Sequence, residues 1–431
     1  FACNMPAIPL EVIKAADRAM LDTLGAIAAG SSHDAFRAVA DVFARSPGVA
    51  KICARHNTDA ESAALVNGTA AHAWDIDDTS YTGIMHGSSV ILPAVVAVAQ
   101  EVEANSDAVR RAFIVGSEIS YVLADICTHA HYFHGWWSTM TFNIVGATAS
   151  VGCLLGLDER AMTNAIGLAA AAAGGGKVVF GTDCKPFLVG DTARRAVLYA
   201  RAAKAGLQGP ENAFEDDRGY LKLLNGGRSD MSQLDTLGRR WRLVEPGLLF
   251  KTNPVCSAAH AAIDQMVDLI DQSGAKPRDI VEIRAEVPEL VFVSLVYPCP
   301  ETPQQAQFSL PYALACAVLH RQVRFEDLLP QAIAMPEKRK LMEKVNTTIA
   351  ISKDSMRQCF PECARLTVSL ADGRVFSGFC GSAYGMPDRP QSDLDLLKKF
   401  DSALTFSGLR CPKFEASGFD PVSILSQIVP I

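Results

Sequence analysis

Three carboxylates stand between two apolar stretches in VNGTAAHAWDIDDTSYTGIMHGSSVILPAVVAVAQ, Val66 to Gln100. The acids are Asp75, Asp77 and Asp78. An Ala-rich helix runs into them, Thr79 follows, and a short loop carrying His86 leads into a second apolar helix. Polar groups buried between two such helices cost free energy unless they are paired, and acids at a helix C-terminus oppose the helix dipole. The fold must therefore bring Lys, Arg, His or a metal ion to this loop, or leave it in water as a capping turn. A carboxylate and an imidazole held by helix ends also form a proton-transfer apparatus.

A chain of 431 residues suggests two domains, or one large domain with a smaller companion. Its net charge of -7 gives no support to a nucleic-acid partner. The smoothest stretch, residues 161–180, contains Asn164 and Lys177 and is too weak for a membrane span. The opening FACNMPAIPLEV has no basic n-region and no long apolar run, so no signal peptide is expected. The 12 cysteines are scattered through apolar segments, with no CxxC. They read as reduced small hydrophobes, which favours a reducing compartment, the cytoplasm or an organellar matrix, and argues against an iron–sulfur centre.

Amphipathic or apolar helical periodicity covers residues 10–30, 34–45, 60–75, 90–104, 107–130, 142–157 and 157–175. Pro93 is expected in the first turn of its helix, Asp158 as an N-cap, and residues 191–206 as a helix capped by Asp191. Small residues at Gly146, Ala149 and Gly152 allow close helix approach. The character changes near Pro246. In residues 279–288, Val281, Ile283, Ala285 and Val287 alternate as in a strand. Residues 347–352 are β-like, and Asp372-Gly373 marks a hairpin within 365–381. Helices are expected at 257–273, 308–321 and, with Ser392 as cap, 392–404. The fold class is mainly α: an all-helical domain from residues 1–248 and 392–431, with a smaller α+β domain at 249–391.

Other segments carry groups with chemistry. A DxDD run alone suggests Mg²⁺, but no phosphate-binding glycine loop accompanies it, so no metal is expected there. THAHYFHGWW holds His129, His131 and His134 in a poor ligand spacing, and a surface or interface cluster is the better reading. Lys185 follows a Gly turn and precedes a helix start, an arrangement suited to an anion or simply to a solvated Lys. Lys251, Asn253, Cys256 and His260 lie together in LLFKTNPVCSAAHAAID. Tyr312 reads as a buried core Tyr.

At these segments the chain resembles the MmgE/PrpD family. The likeness rests on NGTAAHAWDIDDT (67–79), HGSSVILPAVVAVA (86–99), GWWSTMTFNIVGATASVGCLLGLD (135–158) and GTDCKPFLVGDTARRAVLYARAAKAGLQGP (181–210). It continues through KTNPVCSAAHAAID (251–264), AQFSLPYALACAVL (306–319), DGRVFSG (372–378) and SDLDLLKKF (392–400). That family includes 2-methylcitrate dehydratases, cis-aconitate decarboxylases and an iminodisuccinate epimerase. The resemblance implies a large helical domain, an α+β lid, a homodimer, a small polycarboxylate substrate, and no cofactor or required iron–sulfur cluster.

It also implies site residues. The family's decarboxylases use positions that fall here on Asp75, Thr79, His86, Lys185, Lys251 and Tyr312, and His260 matches a recurrent family His. Asp75, His86 and Lys185 are expected to be catalytic. Thr79, Lys251, His260 and Tyr312 are expected to bind substrate. One departure stands out: where the family reads Gly-aromatic-His-Pro, this chain has Gly135, Trp136, Trp137 and Ser138. An indole N–H only donates, so His134 or another group takes over, or the reaction or substrate differs. The implied chemistry is proton movement beside a carboxylate, with a lyase (dehydratase or decarboxylase) expected. An epimerase, or a non-catalytic carboxylate-binding relative, is the alternative.

Overall fold

The structure is a computed structural model that describes residues 1–350, 361–412 and 419–431. Helices Leu10–Gly30, Asp34–Phe43, Ala60–Ala73, Ser88–Glu101, Ser106–Cys127, Asn143–Leu154, Glu159–Ala171 and Cys184–Lys204 build the N-terminal part. Asp158 caps its helix as expected, accepting from the Ala161 N–H at 2.8 Å. The small-residue stripe works as read: a Cβ on Gly146 would lie 2.3 Å from Gly116 O, so only glycine lets these two helices touch. The Asp393–Phe406 helix returns to pack on Leu10–Gly30, with Ser392 and Asp395 forming a capping box.

After residue 250 a four-stranded sheet appears, in the order Val345–Ile349, Ile280–Val287, Ala364–Leu370, Val375–Cys380. The first pair is parallel and the other two are antiparallel. Helices His260–Ser273 and Leu310–His320 pack with the sheet in a second apolar core. Trp74, Ile76 and Tyr81 belong to that core, whereas Met85 and the helix after it belong to the first. The acidic loop therefore runs along the seam between two cores.

Several expectations need correction. Val281 is exposed, because a register irregularity between Ile280 and Glu282 turns Ile280 into the core instead. Pro93 lies inside its helix, which starts five residues earlier at Ser88. The polar Ser88-Ser89 pair hid that start; Ser88 is buried because its hydroxyl donates to Asp78 Oδ2 at 2.5 Å. The helix expected from Asp191 begins at Cys184, and Asp191 sits within it, paired with Arg194 and Arg195. The three histidines do not form one surface cluster: His131 is fully buried, bonded to Leu224 O and Thr141 Oγ1, while His134 is exposed. Cys359 lies outside the described residues, and Cys53, Cys127, Cys316 and Cys380 are buried free thiols. Among the described residues no helix is long and apolar enough to cross a membrane.

Candidate active site

Asp59 starts the Ala60–Ala73 helix by accepting from Ser62 N–H at 2.9 Å. The helix ends at Trp74, and Asp75 takes a left-handed φ of 52°, which Asp tolerates better than most residues. The Cys184–Lys204 helix crosses antiparallel to it: Glu61 pairs with Arg201, Gly68 meets Gly190, and His72 meets Lys185. Lys185 thus stands in the first turn of one helix, over the last turn of the other. Thr79–Ser80 pairs antiparallel with Leu248–Leu249, and this short ladder delivers Lys251 to the same place. Lys399 Nζ ties the loop to the C-terminal helix, donating to Asp22 Oδ1 at 2.5 Å and to Ile76 O at 2.7 Å.

Asp75 is the meeting point. Its Oδ1 accepts from Lys185 Nζ at 2.9 Å and from Lys251 Nζ at 3.0 Å, and Lys251 also donates to its backbone carbonyl at 2.8 Å. All three side chains are buried. Burial pushes the Asp75 carboxyl up, but the two ammonium groups outweigh it and hold the group well below 3.8. Lys185 Nζ also bonds His72 Nε2, while His72 Nδ1 donates to Asp77 Oδ2 at 2.7 Å. Asp77 is likewise held ionised: burial opposes this, but His72 and His86 prevail. Asp78 differs. Burial and the charge of Asp22 raise its carboxyl well above the usual range.

His86 Nδ1 donates to Asp78 O at 2.7 Å, which leaves Nε2 as a lone-pair acceptor. Burial lowers its pKa well below 6.5 despite Asp77, so the ring is neutral. Asp75, His86 and Lys185 line one cavity of about 20 Å³, together with Ile84, Tyr132, Trp137, Phe180, Cys256, Ser257, Ser294, Phe308 and Glu362. Trp137 stacks on His72 with ring centroids 5.8 Å apart, and Trp137, Phe180 and Phe308 surround the Lys185 ammonium at 5.2 to 5.9 Å. Burial pushes the Cys256 thiol up to about 12, so it is no nucleophile. Buried Asp75 Oδ2, Asp77 Oδ1, Thr79 Oγ1 and Ser138 Oγ have no hydrogen-bond partner among the described residues. Such atoms are rare in a closed core and mark a place for water or ligand.

Other expected residues sit apart from the cavity wall. Lys251 lies behind Asp75, and Thr79 lies in the short ladder. His260 accepts from Asn253 N–H at 3.3 Å and faces Cys256 O, also at 3.3 Å, so it braces the loop after Lys251. Tyr312 is not brought to the cavity. Its hydroxyl donates to Asp327 O and accepts from Lys338 Nζ in the second core. His134 is exposed and does not replace the missing imidazole. The residues the sequence left unmarked are His72 and Glu362. For His72 the signal was present: it lies one helical turn before Asp75, on the same fully buried helix end.

His72, Asp75, Asp77 and His86 place ligand atoms within 4.8 Å of one another, a donor set of the kind that holds a metal ion. Here two ammonium groups already share Asp75 Oδ1, and a divalent cation beside them would meet strong repulsion. The geometry suits an anion bound by lysine better than a cation bound by carboxylate.

The MmgE/PrpD N-terminal domain matches residues 1–232, and the MmgE/PrpD C-terminal domain matches residues 254–409. The chain belongs to the MmgE/PrpD family. Human cis-aconitate decarboxylase is 25% identical over 408 residues, covering 90% of this chain and 83% of the relative. The mouse cis-aconitate decarboxylase is 25% identical over 353 residues, covering 78% of this chain and 70% of its own length. A cis-aconitate decarboxylase-like protein of Aspergillus oryzae is 24% identical over 429 residues, covering 91% and 86%.

Proposed function

We propose that this lyase removes CO2 from a small polycarboxylic acid, cis-aconitate being the first candidate because curated relatives over most of the chain carry that activity. The observation that carries the reading is the buried Lys185–Asp75–Lys251 triad beside a neutral His86, with Lys185 and His86 on one cavity wall. Asp75 offsets one of the two ammonium charges and aims both lysines. An acid held so far into its ionised range is a poor proton acceptor, so its part is to anchor. Lys185 receives a substrate carboxylate and stabilises charge that develops on the carbon next to it. His86 Nε2 is the basic atom of the wall. The aromatic faces of Trp137, Phe180 and Phe308 hold the carbon skeleton and exclude water, which strengthens the lysine's pull.

A cavity of about 20 Å³ holds little more than one water molecule. The walls must part to admit a six-carbon acid, and wall residues stand on both sides of the seam: Lys185, Trp137 and Phe308 with the first core, Ser257 and Glu362 with the second. The test is to incubate the pure protein with a panel of di- and tricarboxylates, cis-aconitate included, and to measure released CO2 and the mass of each product. CO2 release that disappears in Lys185→Ala and His86→Ala, with both variants folded by circular dichroism, supports the reading. Loss of water instead of CO2, or full activity in both variants, overturns it.

A further inference from the structure

Glu362 is 1% exposed, yet it lines the same cavity as Lys185 and His86. It arrives from the second core, two residues before the Ala364–Leu370 strand. Among the described residues no cation bonds it. Its Oε2 accepts from the Tyr81 hydroxyl at 2.9 Å and its Oε1 from the Ser257 hydroxyl at 2.8 Å. Two neutral hydroxyls are modest partners for a buried carboxylate, because they do not cancel its charge. They hold it on the wall of the cavity that Lys185 and Asp75 also line. Asp327, by contrast, sits in an ion pair with Lys338.

We propose that Glu362 is the proton-carrying group of this cavity: a carboxylic acid, held by Tyr81 and Ser257 in the cavity that Lys185 also lines, that gives its proton to the substrate carbon. The inference rests on the decarboxylase reading and adds the residue that completes it. Trp137 supplies no proton acceptor and His134 is exposed on the outside, so among the described residues Glu362 is the wall acid without a bonded counter-cation. In the step, the bond between the substrate carbon and its departing carboxylate breaks. The electron pair stays on the carbon and CO2 leaves. The Glu362 O–H proton forms the new C–H bond, and the resulting Glu362 carboxylate recovers a proton from water.

The surroundings favour the neutral acid. Burial drives the Glu362 carboxyl up to about 7; the Ser257 and Tyr81 hydrogen bonds and the charge of Lys251 pull it down, and Asp75 pushes it up. The other titratable groups facing it, Cys256 and Tyr132, stay neutral because burial raises both. A donor whose pKa lies near the working pH has a large acid fraction and a usable driving force.

The experiment compares wild type, Glu362→Gln and Glu362→Asp as full chains. Gln keeps the shape: its carbonyl oxygen accepts from one hydroxyl and its NH2 donates to the oxygen of the other, yet it cannot release a proton to carbon. For CO2 release from cis-aconitate, Glu362→Gln should lose about 100-fold in kcat or more with little change in KM. It should also lose the fall in rate toward alkaline pH, and Asp should recover part of the rate. A Gln variant with wild-type kcat overturns the proposal. Infrared difference spectra between acid and alkaline pH give a readout that needs no substrate. A buried carboxylic C=O band that titrates near neutrality and vanishes in Glu362→Gln upholds the acid, and absence of that band in wild type overturns it. A wild type that releases no CO2 from any acid in the panel sinks the decarboxylase reading, while the band still decides the state of Glu362.

Discussion

Gly68 and Gly190 touch backbone to backbone: a Cβ on Gly68 would lie 2.8 Å from Gly190 Cα, and one on Gly190 would lie 2.1 Å from Leu65 O. This contact sets how closely the two antiparallel helices approach, and so whether Lys185 reaches His72 and Asp75. Gly68→Ala should therefore push the helices apart. Overpacking of this kind costs about 1–3 kcal/mol. Thermal unfolding should show the loss, and kcat should fall further than that destabilisation explains, because the displaced ammonium lies at the site. A variant with unchanged kcat would show that Lys185 tolerates the shift.

Asp75→Asn leaves two buried ammonium groups sharing a neutral amide. Breaking a buried ion pair from one side costs about 3–5 kcal/mol, readable by urea unfolding at neutral pH. The pH dependence has a definite sign. The folded carboxyl lies below its ordinary 3.8, so its stabilisation is fully present above that value and is lost as pH falls through it toward the folded value. The gap between wild type and Asp75→Asn should narrow on acidification below about pH 4. A gap that widens would contradict the pairing.

His260 shows the opposite linkage. Burial, aided by Lys251, takes its pKa down to about 3, against an ordinary 6.5. Between those values the unfolded chain binds a proton that the folded chain refuses, so stability falls as pH drops through this window. His260→Gln should flatten the acid slope of stability by about one proton, roughly 1.4 kcal/mol per pH unit, whatever it costs at neutral pH. Parallel slopes for the two proteins would mean that His260 is already charged in the fold.

Tyr312→Phe separates a binding role from a packing one. The hydroxyl serves Lys338 Nζ at 2.8 Å, and Lys338 keeps Asp327 Oδ1 at 2.9 Å after its removal. Stability should drop by about 1–3 kcal/mol, while kcat and KM for the acid that is turned over stay at wild-type values. A raised KM would place the hydroxyl at the substrate in a more closed form of the enzyme.

Much of this molecule was legible in the chain alone. Helical periodicity, the Asp158 and Ser392 caps and the Asp372-Gly373 turn depend on neighbours within a few residues, and such local rules act before any tertiary contact forms. The demand that Asp75, Asp77 and Asp78 find partners was equally legible, because burying charge is costly wherever it happens.

The identity of those partners was settled in three dimensions. Lys185 is 110 residues from Asp75 and Lys251 is 176 residues away; no local pattern encodes such distances, which follow from a glycine contact between helices and a two-residue ladder. The same holds for Glu362, whose neighbours in the chain give no hint that it meets Tyr81, 281 residues away. Periodicity also misled where backbone geometry departed from the ideal: the irregularity after Ile280 exposed Val281, and Pro93 proved to be an interior residue of its helix. Sequence sets which groups must be paired or solvated, since desolvation acts on each residue by itself. Only the packing of two cores along one seam decides which partner each receives, because that depends on backbone approach.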